Sequence, residues 1–325
     1  MSEMQAPLVL AVPSKGRLQE NVAAFFARAG LSLVQGRGSR DYRGTLKGIE
    51  GVEVAFVSAS DIVTHLAAGS AHLGVTGEDL IRETLSDSDR KIALLTPLGF
   101  GFANVVVAVP QAWIDVRTMA DLDDVAVLHR ARRGERMRVA TKYINLTRRF
   151  FASQHVTDYR IVESLGATEG APAAGQAELI VDITTTGATL SANALKILDD
   201  GVILRSEANL AASLNADWNE ANREKARLIL SHIAAEEEGR TTREVSTVLE
   251  NVATDSFEEA QKLFAARVRL YGKDGHLIFG CPSDKVAALA DWLIAQGASH
   301  VGVTAQDYVF SAKNPLYEKL VDRLA

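Results

Sequence analysis

Glu178-Leu179-Ile180-Val181-Asp182-Ile183-Thr184-Thr185-Thr186-Gly187-Ala188-Thr189-Leu190 is the stretch from which the fold can be read. A short apolar strand ends in an acidic residue, a run of hydroxyls and a glycine, and a helical pattern begins at Leu190. A strand feeding a glycine turn and then a helix start makes an anion site, because the turn offers backbone N–H groups and the helix start adds partial positive charge. Thr184, Thr185, Thr186 and Thr189 add hydroxyl donors, while Gly187 and Ala188 keep the turn free of bulk. A phosphate monoester fits such a turn without a lysine. Asp182, at the strand end, is placed for the hydroxyls of an adjoining sugar or for a phosphate-bound Mg²⁺. Together these residues point to a ribose 5-phosphate. An ordinary strand-to-helix turn with threonine caps would use the same residues, so the surrounding chain has to decide.

Working outward, the same unit recurs. Residues 8–12 are a continuous apolar run that predicts a buried parallel strand, followed by Pro13-Ser14-Lys15-Gly16-Arg17 and an amphipathic helix over 18–29. Lys15 and Arg17 read either as a solvated basic turn or as phosphate contacts, Arg as a fork and Lys as a point charge. Residues 36–51, with Arg37, Arg40, Asp41 and Arg43, predict a hairpin or mobile loop, and 52–57 a strand. Gly74-Val75-Thr76-Gly77-Glu78-Asp79 is a third strand, turn and acidic helix start, in which Thr76 is expected to cap the helix and Asp79 to be the more exposed acid. The first crossing between lobes is expected near Gly99 and Gly101. Past it come a pure apolar strand, a basic run from His129 to Arg136 that reads as an exposed helix face, and a strand over 137–140. Thr141-Lys142-Tyr143 then carries the chain into a helix. Beyond Leu190, a helix over 191–198 and a strand over 202–206 are expected to return it to the first lobe.

This order predicts an α/β protein of two doubly wound lobes with a cleft between them. Residues 1–100 and 191–214 are assigned to lobe I, 101–190 to lobe II, and 215–325 to a small C-terminal α+β module. In that last part, 218–232 and 241–249 read as helices, a hairpin turns at Lys273-Asp274-Gly275, and a helix over 284–296 precedes a strand over 301–304.

A net charge of −6 over 325 residues argues against a nucleic-acid partner, and no apolar run is long enough to span a bilayer. Without a basic N-terminal region or a leader-like apolar segment, the chain is expected to be cytoplasmic. The lone cysteine, Cys281, fits a reducing compartment and a packing role. The histidines show no metal-ligand spacing, and no G-x-S-x-G elbow marks an acyl-transfer nucleophile.

From Glu169 the spacing runs five residues to Gly175, one to Ala177, two to Ile180, and on through Val181-Asp182-Ile183-Thr184-Thr185-Thr186-Gly187-Ala188-Thr189-Leu190. This resembles, position for position, the signature of the ATP phosphoribosyltransferase family. Pro13-x-Lys15-Gly16-Arg17-Leu18, Gly74-Val75-Thr76-Gly77-x-Asp79 and Ala140-Thr141-Lys142-Tyr143-x-Asn145-Leu146-Thr147 match further motifs of that family, and Ser58 stands where an arginine is expected in many relatives. The resemblance implies a periplasmic-binding-protein-like fold and the first reaction of histidine biosynthesis, transfer of a phosphoribosyl group to N1 of ATP, with Mg²⁺ on the diphosphate. It implies that Asp182, Thr184, Thr185, Thr186, Gly187, Ala188 and Thr189 bind 5-phosphoribosyl 1-diphosphate. Lys15, Gly16, Arg17, Thr76, Gly77, Asp79, Thr141, Lys142 and Glu169 would bind ATP or be shared, with Lys15, Arg17 and Asp182 catalytic.

Short members of the family depend on a separate regulatory subunit resembling histidyl-tRNA synthetase, and long members add a β-α-β-β-α-β domain that binds histidine. Only the second half of that domain is visible in the sequence, so the catalytic region looks like the short form with an atypical extension. The extension is expected to regulate or assemble a homo-oligomer, with L-histidine as the candidate inhibitor. One rival reading, a non-catalytic two-lobe binding protein, leaves the hydroxyl-rich loop and the Lys-Gly-Arg turn unexplained; the other, a single-sheet phosphoribosyltransferase, usually carries two adjacent acidic residues where Asp182 stands alone after Val181.

Overall fold

The computed structural model describes residues 6–36, 42–249 and 254–325. Arg37, Arg40 and Asp41 of the basic loop lie outside the described residues. The first lobe opens with β1 (Leu8–Pro13) and α1 (Gly16–Arg28), then the hairpin β2 (Ser32–Gln35) and β3 (Arg43–Lys47). β4 (Val52–Val57), α2 (Ala59–Ala68), β5 (Leu73–Gly77), α3 (Glu78–Thr84), α4 (Ser88–Lys91) and β6 (Ile92–Pro97) follow. β1 lies parallel to both β4 and β5, which is why its Leu8, Leu10, Ala11 and Val12 are wholly buried and read as an unbroken apolar run. Ser58 accepts the Asp61 N–H and so caps α2.

The second lobe holds β7 (Asn104–Pro110), α5 (Met119–Arg133), β8 (Met137–Thr141), α6 (Ile144–Ser153), β9 (Tyr159–Glu163), β10 (Leu179–Thr184), α7 (Ala188–Ala192) and β11 (Leu195–Leu204). Its sheet runs β11-β7-β10-β8-β9, with β8 parallel to β9 and β10 and with β7 antiparallel to its neighbours. Two expectations fail here. The helix expected over 191–198 is only the short α7, and 195–204 is a strand of this sheet instead of a return to lobe I. Pairing with β7 supplies backbone hydrogen bonds along Leu195, Lys196 and Ile197, and that outweighs the local helical pattern. The chain returns to the first sheet only with β12 (Ala208–Ser213), which completes the order β2-β3-β4-β1-β5-β12-β6. The two crossings run side by side: Ala103 N–H donates to the Ser206 carbonyl, and Gly99 N–H to a Glu207 carboxylate oxygen at 2.7 Å.

α8 (Glu220–Thr241) does not belong to the C-terminal module. Its Ala226, Ile229, Leu230 and Ile233, with Trp218 before it, complete the core of the first lobe. The next segment, 241–249, is strand and not helix: β13 (Thr242–Val248), followed by α9 (Thr254–Phe264), β14 (Arg267–Tyr271), β15 (His276–Pro282), α10 (Val286–Ala295) and β16 (Gly302–Thr304). The module is therefore a complete β-α-β-β-α-β unit with strand order β14-β15-β13-β16, and both halves are present. Cys281 is buried in its core, where burial pushes the thiol pKa up. The last helix, α11 (Pro315–Leu324), goes back to the first lobe, where Leu320 is buried and the Lys319 ammonium donates to the Leu95 carbonyl.

Candidate functional site

β10 ends at the hydroxyl-rich loop, and the loop folds on itself. Gly187 N–H donates to Thr184 Oγ1 at 2.8 Å, Ala188 N–H to Thr186 Oγ1 at 3.4 Å, and Thr185 Oγ1 donates to the Phe102 carbonyl at 3.1 Å. Gly187 has φ +78° and ψ −5°, in the left-handed region, which favours glycine or asparagine. The helix that follows is a single short turn, so its dipole adds less to anion binding than the sequence suggests, and the donors are the loop's own N–H and hydroxyl groups.

Glu169, Asp182, Thr184, Thr185, Thr186, Ala188 and Thr189 line one cavity of about 280 Å³ with Phe102. Burial raises the Asp182 carboxyl above the usual carboxylate range; a bond from Ile183 N–H and the Lys142 ammonium pull it back, and the Glu169 carboxylate adds to the rise. Lys142 and Glu169 are thus close enough to act electrostatically on Asp182. Among the described residues no group of three or more His, Cys, Asp or Glu is placed to hold a metal ion.

Lys15, Gly16 and Arg17 stand exposed at the start of α1, on the first lobe. Neither cation has a hydrogen-bond or ion-pair partner among the described residues. They adjoin the crossing, since a Cβ built on Gly101 would lie 3.1 Å from Leu18 Cδ1. The expected site therefore spans two elements of opposite lobes, a hydroxyl-rich cavity that also holds Asp182 and Glu169, and a bare cationic turn.

Three expected binding residues are used inside the protein. Thr76 is buried and donates to the Ala59 carbonyl at 2.8 Å, so it does not cap α3. Thr141 is buried and accepts the Tyr143 N–H at 2.8 Å. Asp79, expected to be the more exposed acid, is 4% exposed; its Oδ1 accepts from the Ser206 hydroxyl at 2.9 Å and its Oδ2 from the Tyr143 hydroxyl at 2.8 Å. Gly77 serves this packing, since a Cβ there would come within 2.2 Å of Asp79 Oδ1. Sequence reasoning missed Tyr143, Ser206 and Phe102, because each is recognisable only from its partner across the cleft. It also missed Glu83, whose carboxylate accepts the N–H groups of Asn145 and Leu146 at 2.9 Å each. Among the histidines, His72 is buried in the first lobe, accepts the Val9 N–H, and is kept neutral chiefly by burial.

A family model described as ATP phosphoribosyltransferase (HisG) matches residues 58–235. The ATP phosphoribosyltransferase of Nitrobacter winogradskyi is 61% identical over 319 residues, 98% of either chain, and that of Nitrobacter hamburgensis 60% identical over the same coverage. Among solved structures, the ATP phosphoribosyl transferase (HisG:HisZ) complex from Thermotoga maritima matches with a TM-score of 0.53 at 27% identity, over 70% of this chain and 96% of that one.

Proposed function

The chain belongs to the ATP phosphoribosyltransferase family, and we propose that its two lobes divide that reaction between the hydroxyl cavity and the cationic turn. The enzyme is a pentosyltransferase that performs the first step of histidine biosynthesis: N1 of the adenine of ATP displaces diphosphate from C1 of 5-phosphoribosyl 1-diphosphate, giving N1-(5-phosphoribosyl)-ATP. Adenine N1 has a free lone pair at neutral pH, so no general base is required. The barrier lies in charge separation at an oxocarbenium-like sugar, which positioning and electrostatics lower.

The 184–189 loop holds the 5-phosphate of the donor, and the carboxylate of Asp182 accepts hydrogen bonds from the ribose hydroxyls. The observation that carries this is the convergence of Asp182, Glu169 and the threonine hydroxyls on one cavity without a paired cation inside it. Lys15 and Arg17 bind the polyphosphate of a substrate, with Gly16 between them, and Lys142 supplies a further cation beside Asp182. Gly77, Thr76 and Thr141 shape the cleft walls from behind. A Mg²⁺ ion arriving with the diphosphate would be held in part by Asp182 and would neutralise charge on the leaving group. Incubation with ATP, 5-phosphoribosyl 1-diphosphate and Mg²⁺ produces the altered absorbance of N1-substituted adenine; no product from the folded enzyme overturns the assignment.

The C-terminal module binds L-histidine as inhibitor and joins subunits into a homo-oligomer. Its complete β-α-β-β-α-β layout supports the first role, and the exposed Val268, Leu270, Ile294 and Val303 support the second. A second reading, a separate regulatory subunit resembling histidyl-tRNA synthetase, is favoured by the two-protein complex named for the Thermotoga maritima structure. Cytoplasmic residence is supported by the nature of the substrates and by the described residues, in which no helix is long and apolar enough to cross a membrane.

A further inference from the structure

Helix α6 begins without a cap of its own. Its N-cap residue, Tyr143, makes no side-chain cap bond, and no acidic residue stands in its first turn. Four N–H groups at a helix start need partners, and here two of them, those of Asn145 and Leu146, are met from the other lobe. Glu83, at the end of α3, places one carboxylate oxygen on the Asn145 N–H and the other on the Leu146 N–H, and its backbone carbonyl accepts from the Asn145 side-chain amide at 2.9 Å. The Arg149 guanidinium donates to the Arg82 carbonyl beside it. One turn earlier on α3, Asp79 binds the Tyr143 hydroxyl and, through Ser206, the second crossing. Burial, reinforced by the Asp79 carboxylate, keeps the Tyr143 phenol protonated and donating.

Lys142 sits inside this arrangement. The residue before it, Thr141, accepts the N–H of the residue after it, and Tyr143 is held by Asp79 while the next turn is held by Glu83. The Lys142 ammonium lies over the Tyr143 ring, 5.1 Å from its centroid, so the ring locates the cation too. Parallel pairing sets Ala140 of β8 opposite Ile180 of β10, so Lys142 and Asp182 follow at the same end of the sheet. We propose that Asp79 and Glu83 of the first lobe are positioning residues that fix Lys142 of the second lobe at that end, so that lobe docking and placement of this cation are one event. The charge of Glu83 also opposes the positive end of α6, which a neutral cap would do less well. Separation of the lobes strips α6 of its Glu83 cap and releases the Tyr143 hydroxyl, leaving the 141–143 turn only its own Thr141–Tyr143 bond. The donor is then met by a mobile lysine.

The inference rests on the assignment of Lys142 to the substrate cleft, and the test separates the two. Glu83→Ala and Tyr143→Phe are made singly and each in combination with Lys142→Ala, and the KM for 5-phosphoribosyl 1-diphosphate is measured with Mg²⁺ present. Each single change is expected to raise that KM about tenfold, the order of a lost helix cap or charge-assisted bond, and Glu83→Gln to restore part of it. In the Lys142→Ala background the same changes are expected to add little, because they act through that lysine. Circular dichroism identifies a variant that fails to fold, in which case the other carries the test. If Lys142→Ala alone matches the parent, the reading of the site fails and the inference with it. If Lys142→Ala is impaired and the second changes add their full losses, the site reading stands and the inference is overturned.

Discussion

Substitution of Gly187 separates two reasons for a glycine in the phosphate loop. A methyl group built there would meet only Ile197 Cδ1, at 3.8 Å, an ordinary van der Waals contact, so space inside the protein does not demand glycine. The backbone does, through its φ of +78°. For alanine that conformation costs about 1–2 kcal/mol, and for asparagine, whose side chain bonds locally, less. A β-branched side chain is worse still. If the free loop relaxes to negative φ, its bonds from Gly187 N–H and Ala188 N–H to Thr184 and Thr186 are lost, and the donor must restore them on binding. The dissociation constant for 5-phosphoribosyl 1-diphosphate then rises by up to about 5–30-fold for Gly187→Ala, less for Gly187→Asn and more for Gly187→Val. Calorimetric titration with donor and Mg²⁺ measures this, with melting curves as a control on folding. The expected order follows tolerance of positive φ and not size, since asparagine is larger than alanine. An asparagine variant that binds more weakly than the alanine variant refutes the reasoning, as does alanine at parent affinity.

Arg17→Lys keeps the charge and loses the fork; kcat/KM should fall about tenfold if the guanidinium grips a phosphate in two places, and a parent-like value returns Arg17 to a solvated turn. The Glu178 carboxyl is pushed up by burial but held below its ordinary value by side-chain and backbone bonds from Arg138, which tie β8 to β10. Because its folded pKa is depressed, that stabilisation is present above about pH 4.5 and lost as pH falls through the folded value. Acid should therefore lower the melting temperature of Glu178→Gln less than that of the parent between about pH 5 and 3, and equal slopes would discount the pair. Truncation after Ala212 removes Trp218, Ile229, Leu230, Ile233 and Leu320 from the first core. At about 1.5–3 kcal/mol each this is comparable with the whole stability of a domain, and the product should fail to give a cooperative melt. Excision of residues 243–304 with a short glycine bridge should instead leave both substrates bound, while light scattering reports a smaller assembly and histidine no longer inhibits. Unchanged assembly and inhibition would remove both roles proposed for the module.

The hydroxyl loop was legible because strand, turn and ligand donors are contiguous: Asp182 to Thr189 needs no distant residue to be recognised. The contacts of Asp79 with Tyr143 and Ser206 were not, since these partners lie 64 and 127 residues away, and the motif containing Asp79 looks the same whether it faces solvent or a second lobe. β13 was misread as helix although Thr242, Val245, Thr247 and Val248 favour a strand, because α8 runs into it with no turn residue between them. That error hid the first half of the small sheet. Residues 121–125 have the acidic composition of a solvated turn, yet they lie within α5, where Asp121 forms a capping box with Thr118. The strand 195–204 shows pairing with β7 overriding a helical local pattern.

The small sheet is spliced between α8 and α11 and is not hung from one end. Its entry and exit meet at Gly239, where a Cβ would come within 2.7 Å of the Gln306 carbonyl oxygen, and Arg269 reaches both Glu238 and Gln306. A body held by a single tether can tumble; one held by two strands leaving side by side can only rock about the line through them. Tyr308 and Val309 fasten the returning segment to the Arg28 and Ala235 carbonyls, so the rocking axis is seated on the first lobe. Torque applied to the sheet by a ligand or a neighbouring subunit is therefore delivered to α1 and α8, and passes to the other half of the cleft through the crossings and the α3–α6 contact.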